Sequence, residues 1–535
     1  MRRALDRLSN ETFDLLIIGG GATGCFTARD ASLRGLKVAL IEAKDFASAT
    51  SAHSSKLAHG GLRYLRNLEF SLVRESLRER RNLQAMAPHL LRPLPFLLPL
   101  YDTSLRERWT LSAGLRLYDL LSYDRNRLKD PAQKMPGHRW LPRQEALARE
   151  PVLEGPVFQG AFEYHDAQMY APERIALECL MDAEANGAAI ANYVSAEKLL
   201  LRGKQVEGAA VRDTMTGQAF DIRAKLTLVA AGPWADLFLE HATGRPAHHK
   251  LLRSKGIHLL LPQMSRAALT VEAGSGHFFV LPWRGHTLIG TTDTEFRGDP
   301  ATVAVSETDI AGLLATVNRY LPSAHITRDR IEFFYAGLRP LVDDGSGQTY
   351  NASRRSELVD HAGDDNTEGL FSALGGKWTT SRQLAQTITD AAVKKLGVTA
   401  RACTTATTPL PGGRFENWEA MLKGFEKTWP GISSIRHLAH VYGARLPALL
   451  KTAKVSDLAC LGESGDTLAQ VTIAVRDEMA LTLEDVVMRR TSLGQFGPPE
   501  NLAKIADTMA VPLGWDEIRK SREIASLAPL YQTHD

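Results

Sequence analysis

The sequence predicts an α/β protein in three parts: a parallel-sheet domain opened by a βαβ unit, a second and mainly antiparallel sheet, and a helical C-terminal region. Three observations carry this. Residues 13–18 form a short apolar run ending in Gly19-Gly20-Gly21, and a helical pattern and a second apolar run follow within 30 residues. Strand, helix and strand at that spacing build parallel sheets. Short strand-like runs cluster between about 250 and 340, and beyond a linker at 399–411 the periodicity is helical to the end.

In chain order, the 13–18 strand leads to a helix over 22–34, closed by Gly35, and to a buried strand over 38–41 with Glu42 at its end. Residues 69–86 have helical spacing and Pro88 ends them. In 90–101, prolines 93, 95 and 99 forbid a regular helix. A second amphipathic helix follows at 105–121. Further on come a helix at 172–185, a strand at 188–193, a hairpin of 206–212 with 219–222 around Thr216-Gly217, and a separate buried strand at 224–229. Strands at 257–261, 277–282, 287–289 and 331–335 make the second sheet, and 369–396 returns to strand, glycine turn and long helix. There is no internal repeat.

Composition excludes several classes. The chain has 535 residues, enough for roughly three or four structural units. Its 44% hydrophobic and 23% charged residues suit a packed core rather than disorder. A formal charge of +3 argues against nucleic acid as a partner. Four scattered cysteines, Cys25, Cys179, Cys403 and Cys460, suit a reduced, intracellular protein. No apolar run approaches the about 18 residues of a membrane span, and the N-terminus lacks a signal-peptide pattern. His437 and His440 are three apart on a helix, but no acidic or Cys partner stands at ligand spacing, so no metal is expected.

Gly19, Gly21 and Gly24 form a G-x-G-x-x-G between strand and helix, where glycines permit a tight turn, a close approach to pyrophosphate and close helix packing. The helix N-terminus offers free N–H groups to phosphate. Glu42 lies 18 residues past Gly24, close to the offset of about 20 for an acid on a ribose hydroxyl, which favours FAD or NAD over NADP. A second glycine turn, Gly232, ends the 224–229 strand. Cations recur at five places, Arg63 after Gly60-Gly61, Lys255-Gly256-Ile257-His258, Gly337-Leu338-Arg339, Arg354-Arg355 and Gly375-Gly376-Lys377, three of which follow or adjoin glycine turns at strand ends. Gathered at sheet ends, they would select an anionic substrate.

The segments IGGGATGCFTARDASLRG, ATSAHSSKLAHGGLRYL, AAGPWAD, KGIH, IGTTDTEFRGDP, YAGLRPL and LGGKWTTSRQLA resemble, in order, the flavin-dependent glycerol-3-phosphate dehydrogenases from about residue 12 to 396. Ser381, where that family usually has tyrosine, and the residues Ala58 and His53 are departures. The resemblance implies a Rossmann-like FAD-binding domain (1–68, 172–245 and 332–396), a mixed or antiparallel substrate cap like that of D-amino-acid oxidase (69–171 and 246–331), and a helical C-terminal domain (403–535). It implies FAD held by Gly19, Gly21, Gly24, Glu42, Ser54, Ser55, Lys56, Leu57, Gly60, Gly61, Gly232, Gly337, Gly376, Lys377 and Thr379. Arg63, Tyr64, His258, Arg339, Arg354 and Lys377 would contact sn-glycerol 3-phosphate, which would be oxidised to dihydroxyacetone phosphate. His258 is the candidate base, a hydrogen-bonding role for it standing open, and Arg339 and Lys377 would stabilise developing negative charge.

The resemblance further implies electrons passed to quinone at the inner face of the cell membrane by a peripheral, homodimeric enzyme. Residues 62–130 carry 13 Lys+Arg against 8 Asp+Glu, and Phe96, Leu97, Leu98, Leu100 and Trp109 interleave with Arg92, Arg106, Arg108 and Arg116. That pattern suits either an interfacial contact with anionic lipid or a solvated face over an ordinary core. An oxidase using oxygen and a membrane-associated flavoprotein without turnover are the alternative readings.

Overall fold

The first apolar run forms the strand Thr12–Ile18, with Leu15 to Ile18 buried, and it lies mid-sheet because both of its edges find parallel partners. The structure is a computed structural model describing residues 1–65, 68–274, 276–343, 356–364 and 366–534. Along its main path the first sheet runs Glu357–Asp360, Leu370–Leu374, Ala219–Val229, Thr12–Ile18, Val38–Ile41, Ala189–Ala191, parallel except for the first strand, and the antiparallel hairpin Val194–Arg202 and Gln205–Asp213 joins it at Ala219–Val229. Helix Ala22–Leu33 is flanked by Pro172–Ala185 and Ser381–Leu396, so nearly every one of its residues is buried. Even its Arg29 is enclosed, held by Asp182 at 2.7 Å and the Thr408 carbonyl at 2.8 Å, which satisfies a charge that could not otherwise be buried.

The two strands expected at 219–222 and 224–229 are one, Ala219–Val229. Arg223 breaks the apolar run in sequence but pairs with both Gly208 and Thr12, so the strand crosses from hairpin to parallel sheet without interruption.

Among the described residues the second sheet has ten strands. Leu251–Pro262 pairs antiparallel with Phe333–Val342 over ten residues, so this strand lies in the second sheet although the expected nucleotide domain includes residues from 332 onward. The proline-rich run is the strand Leu91–Tyr101, paired along its length with Phe158–Met169. Prolines 93, 95 and 99 share parity, so their missing N–H groups all lie along one edge. Period-two alternation splits this sheet's side chains. Ile257, Leu259 and Val280 pack in one core with Ile310 and Leu313 of helix Glu307–Tyr320; Leu260, Leu281 and Phe333 turn the other way.

Phe96, Leu97, Leu98 and Leu100 are core residues, at most 5% exposed, which corrects their reading as part of an interfacial face. Arg92 lies 3.9 Å from the Trp418 ring centre, away from any lipid-facing role. What does stand out of helix Leu105–Leu121 is Leu105, Trp109 and Leu120, each about two-thirds exposed or more. Among the described residues no helix is long and apolar enough to cross a membrane.

The C-terminal region is helical: Trp418–Thr428, Ile435–Tyr442, Leu468–Asp477, Leu502–Leu513 and Glu517–Ala525, with a π-helix at Asp485–Arg490. His437 bonds Asp466 at 2.7 Å and Tyr170 at 2.7 Å, while His440 bonds the His89 carbonyl at 2.9 Å. Both rings thus knit this region to the rest of the chain.

Candidate active site

The glycine turn is built by contact distances that exclude side chains. A Cβ on Gly24 would stand 1.9 Å from the Gly19 carbonyl oxygen, and one on Gly19, at φ +117°, 2.5 Å from the Ala230 oxygen. Gly21 caps the N-terminus of helix Ala22–Leu33; the Ala22 N–H donates to the Ser51 hydroxyl at 2.9 Å, and the positive end of the helix dipole faces the turn. The Glu42 carboxylate accepts the Gly20 N–H at 2.7 Å and the Lys44 N–H at 2.9 Å. Burial raises its pKa despite these bonds. Gly232, at φ +54°, turns the chain just past Val229 beside this loop.

The segment 53–64 is the hub of the site. At one end, the Ser55 hydroxyl bonds His258 Nε2 at 2.8 Å, and Tyr335 donates its hydroxyl to the Ser54 carbonyl at 2.7 Å while stacking on the His258 ring at 5.0 Å. Lys56 adopts φ +54° and places its ammonium 4.7 Å from the Trp283 ring centre; burial lowers its pKa. His258 is lowered well below the ordinary imidazole value, first by burial and then by the Arg339 and Lys56 charges, so it is neutral at physiological pH. Its Nδ1 is buried without a hydrogen-bond partner among the described residues. Arg339 is held by the Thr291 hydroxyl at 2.6 Å, the Ser254 hydroxyl at 3.0 Å and the Thr292 carbonyl at 3.2 Å. Gly337 lets the strand pass close: a Cβ there would be 2.4 Å from the His53 carbonyl oxygen.

At the other end, strand Leu57–Ala58 pairs with Gln168 and Ala167, and the Gly60 N–H meets Tyr118 Oη at 3.0 Å and Asp166 Oδ1 at 3.2 Å. Gly61 turns at φ +73°. Arg63 lies over the Tyr64 ring at 5.1 Å, and the Lys377 ammonium lies 4.0 Å from the same ring centre. Thr379 accepts the His59 N–H at 3.2 Å, and Gly376, at φ +103°, turns the chain into Lys377. Ser381 uses its hydroxyl on the Lys377 carbonyl at 2.9 Å.

The structure therefore brings Arg63, Tyr64 and Lys377 together, and separately His258, Arg339, Ser55 and Lys56, with one short segment joining the two groups. Arg354 lies outside the described residues. A cavity of about 1150 Å³ opens beside the first group, lined by Arg63, Tyr64, Phe96, Tyr164, Phe279 and Arg106 among others. Sequence reasoning missed Tyr335, Thr291 and Thr292 as supports of His258 and Arg339. Each falls within a quoted motif, Thr291 and Thr292 just past strand His286–Gly290 and Tyr335 inside strand Phe333–Val342, but their roles come from cross-strand register.

Residues 14–408 match the FAD dependent oxidoreductase family, and residues 403–520 match the C-terminal domain of alpha-glycerophosphate oxidase. The chain is 38% identical to a glycerol-3-phosphate dehydrogenase of Synechocystis sp., over 98% of this chain and 97% of that protein. It is 35% identical to the mitochondrial glycerol-3-phosphate dehydrogenase of Mus musculus, over 96% of this chain and 72% of that one. The chain belongs to the FAD-dependent glycerol-3-phosphate dehydrogenase family. The solved glycerol-3-phosphate dehydrogenase of Bacillus halodurans, complexed with FAD, superposes with a TM-score of 0.79 at 28% identity, covering 99% of this chain and 98% of that one. The dithionite-reduced L-alpha-glycerophosphate oxidase of Mycoplasma pneumoniae, at 19% identity and TM-score 0.55, covers 75% of this chain and 99% of that one, and shares the fold.

Family membership makes the protein an FAD-dependent oxidoreductase, and its residues fit that cofactor. Gly19, Gly20 and Gly24 leave no room for a side chain, the helix N-terminus beyond them suits a pyrophosphate, and Glu42 stands at the strand end where a ribose hydroxyl would lie.

Proposed function

We propose that this enzyme oxidises sn-glycerol 3-phosphate to dihydroxyacetone phosphate and passes the electrons to a membrane quinone. The observation that carries the reading is the shared segment: cations and a neutral imidazole from distant stretches (Arg63, His258, Arg339, Lys377) are built onto or around residues 53–64, directly after the nucleotide half-domain. A phosphate ester with about two negative charges calls for such groups, and a guanidinium can grip it through two parallel bonds.

In the reaction, FAD supplies the acceptor for the hydride that leaves C2. His258 takes the C2 hydroxyl proton at Nε2, which is available because burial keeps the ring neutral. Tyr335 stacks against the ring and fixes its plane, and Ser55 holds Nε2 until the substrate hydroxyl arrives. Arg339, immobilised by Ser254, Thr291 and Thr292, offers a fixed positive charge to the developing alkoxide. Lys377 and Arg63, flanking Tyr64, bind the phosphate.

A peripheral membrane contact is supported by where the exposed large apolar residues fall. Among the described residues, six of the thirteen exposed large apolar side chains, Leu68, Phe70, Leu105, Trp109, Leu120 and Tyr123, lie within the 62–130 window that carries a net +5. Apolar side chains amid basic ones suit an interface with anionic lipid. The test is a steady-state assay with glycerol 3-phosphate and either a soluble quinone or oxygen. Turnover with quinone, absent with glycerol and slow with oxygen, supports the reading; turnover with oxygen alone replaces it with an oxidase.

A further inference from the structure

Among the described residues the C-terminal domain contributes no side chain to the clusters above, yet it inserts two buried arginines, Arg489 and Arg490, behind the nucleotide loop. In the π-helix Asp485–Arg490, two consecutive arginines reach one carboxylate. Arg490 grips Asp45 through both guanidinium nitrogens at 2.8 Å each, and Arg489 Nε donates to the same carboxylate at 2.7 Å. Successive residues of an α-helix point about 100° apart, and short π-helices recur at functional sites.

Asp45 is fully buried in the turn 42–47 that follows the second strand. That turn closes directly on the glycine loop: the Ala47 N–H donates to the Gly20 carbonyl at 2.9 Å, while Glu42 takes the Gly20 N–H. The back of the cluster is anchored as well. Arg489 also bonds Asp485 at 2.8 Å, Tyr193 donates to Asp485 at 2.6 Å, and the Tyr193 N–H holds the Lys44 carbonyl at 3.0 Å. The Glu478 carbonyl accepts from Arg490 at 3.0 Å. With two arginines on it, Asp45 is held down at about 2, so it is ionised under all ordinary conditions.

We propose that the C-terminal domain is a clamp on cofactor retention: Arg489 and Arg490 hold the 42–47 turn against the glycine loop and thereby set how slowly FAD leaves. A buried carboxylate stripped of one partner keeps its charge without compensation and pushes its backbone toward water, and the backbone it would move is the wall of the FAD cradle. The inference rests on FAD as cofactor and not on which substrate is oxidised.

The test follows FAD release from the holoenzyme after dilution, read as recovered flavin fluorescence, with circular dichroism confirming the fold. Two variants loosen the clamp: Arg490→Lys, which keeps the charge and loses the fork, and Asp45→Asn, which keeps the volume. The comparison variant is Asp466→Asn, which loosens the same domain from within, at the carboxylate that holds His437 and Ser492, His437 in turn bonding Tyr170 outside it. Release at least tenfold faster in Arg490→Lys and Asp45→Asn, with Asp466→Asn within twofold of the parent, is the expected result. Parental release rates in the first two overturn the clamp, as does equal acceleration in Asp466→Asn, which would mean that general loosening suffices.

Discussion

His258 illustrates how one side chain acquires its role from neighbours contributed by the whole molecule. Its ring sits in a cage of Tyr335, Ser55 and nearby cations, and both the burial and the charges favour the neutral form. His258→Asn is expected to lower turnover by about two orders of magnitude, the usual scale for removing a general base, while KM changes by less than about threefold. Because the pKa is depressed, the base is competent above its folded-state value and lost as pH falls through it. The acidic limb of kcat/KM is therefore expected below the ordinary imidazole value and should vanish in the variant. A limb near 6.5, or one retained in His258→Asn, assigns the proton to another group. Glycine-flanked cations were legible in the sequence because glycine turns and strand ends are local signals. Tyr335, Thr291 and Thr292 were not assigned, since their roles come from cross-strand register between Leu251–Pro262 and its neighbours.

At the scale of elements, the βαβ unit was readable almost to the residue, as was helix Leu105–Leu121, because each is punctuated by glycine or a cap. Ser104 and Glu107 form a capping box at the start of that helix. Strand Leu91–Tyr101 was harder: its prolines exclude helix, and only the pairing with Phe158–Met169 defines it as a strand. The same pairing turned Phe96, Leu98 and Leu100 into core, so the apolar run said nothing about lipid. The exposed flank of the Leu105–Leu121 helix is where the proposed lipid contact would lie instead. Trp109→Glu is expected to reduce sedimentation with anionic vesicles about tenfold while leaving turnover with a soluble acceptor unchanged; unaltered vesicle binding would move the contact elsewhere. In the glycine turn, Gly24→Ala forces a methyl group into the Gly19 carbonyl. A loss of about 1–3 kcal/mol in stability and a reduced FAD content per chain are expected, checked by denaturant unfolding and by the flavin-to-protein absorbance ratio.

Over the whole molecule, three parts are joined by buried charge as much as by apolar contact. Arg174 meets Glu478 at 2.6 Å, Arg382 meets Glu79 at 2.6 Å, and Asp45 meets its arginine pair. None of these long-range pairs can be read from sequence, where each residue looks like a solvated surface charge. They leave a pH signature. Burial lowers His53 to about 4 and His440 to about 3, so between those values and 6.5 the unfolded chain binds more protons than the folded one. Stability is then full above pH 6.5 and falls on acidification, by up to about 1.4 kcal/mol per histidine per pH unit. Asp45, held at about 2, adds a further loss as pH drops from about 4 through 2. Glu42 and Asp166, raised by burial, act in the opposite sense and offset part of the fall. The unfolding free energy is expected to decline from pH 6.5 to 5; a flat profile there would mean that these imidazoles are solvated in the folded protein.

The most direct test is anaerobic titration of the oxidised holoenzyme with glycerol 3-phosphate, with glycerol as the uncharged control. One equivalent of the phosphate ester should bleach the flavin and yield one equivalent of dihydroxyacetone phosphate, while glycerol leaves the spectrum unchanged. Bleaching by both compounds alike, or by neither, would contradict a site whose cations select a doubly charged substrate.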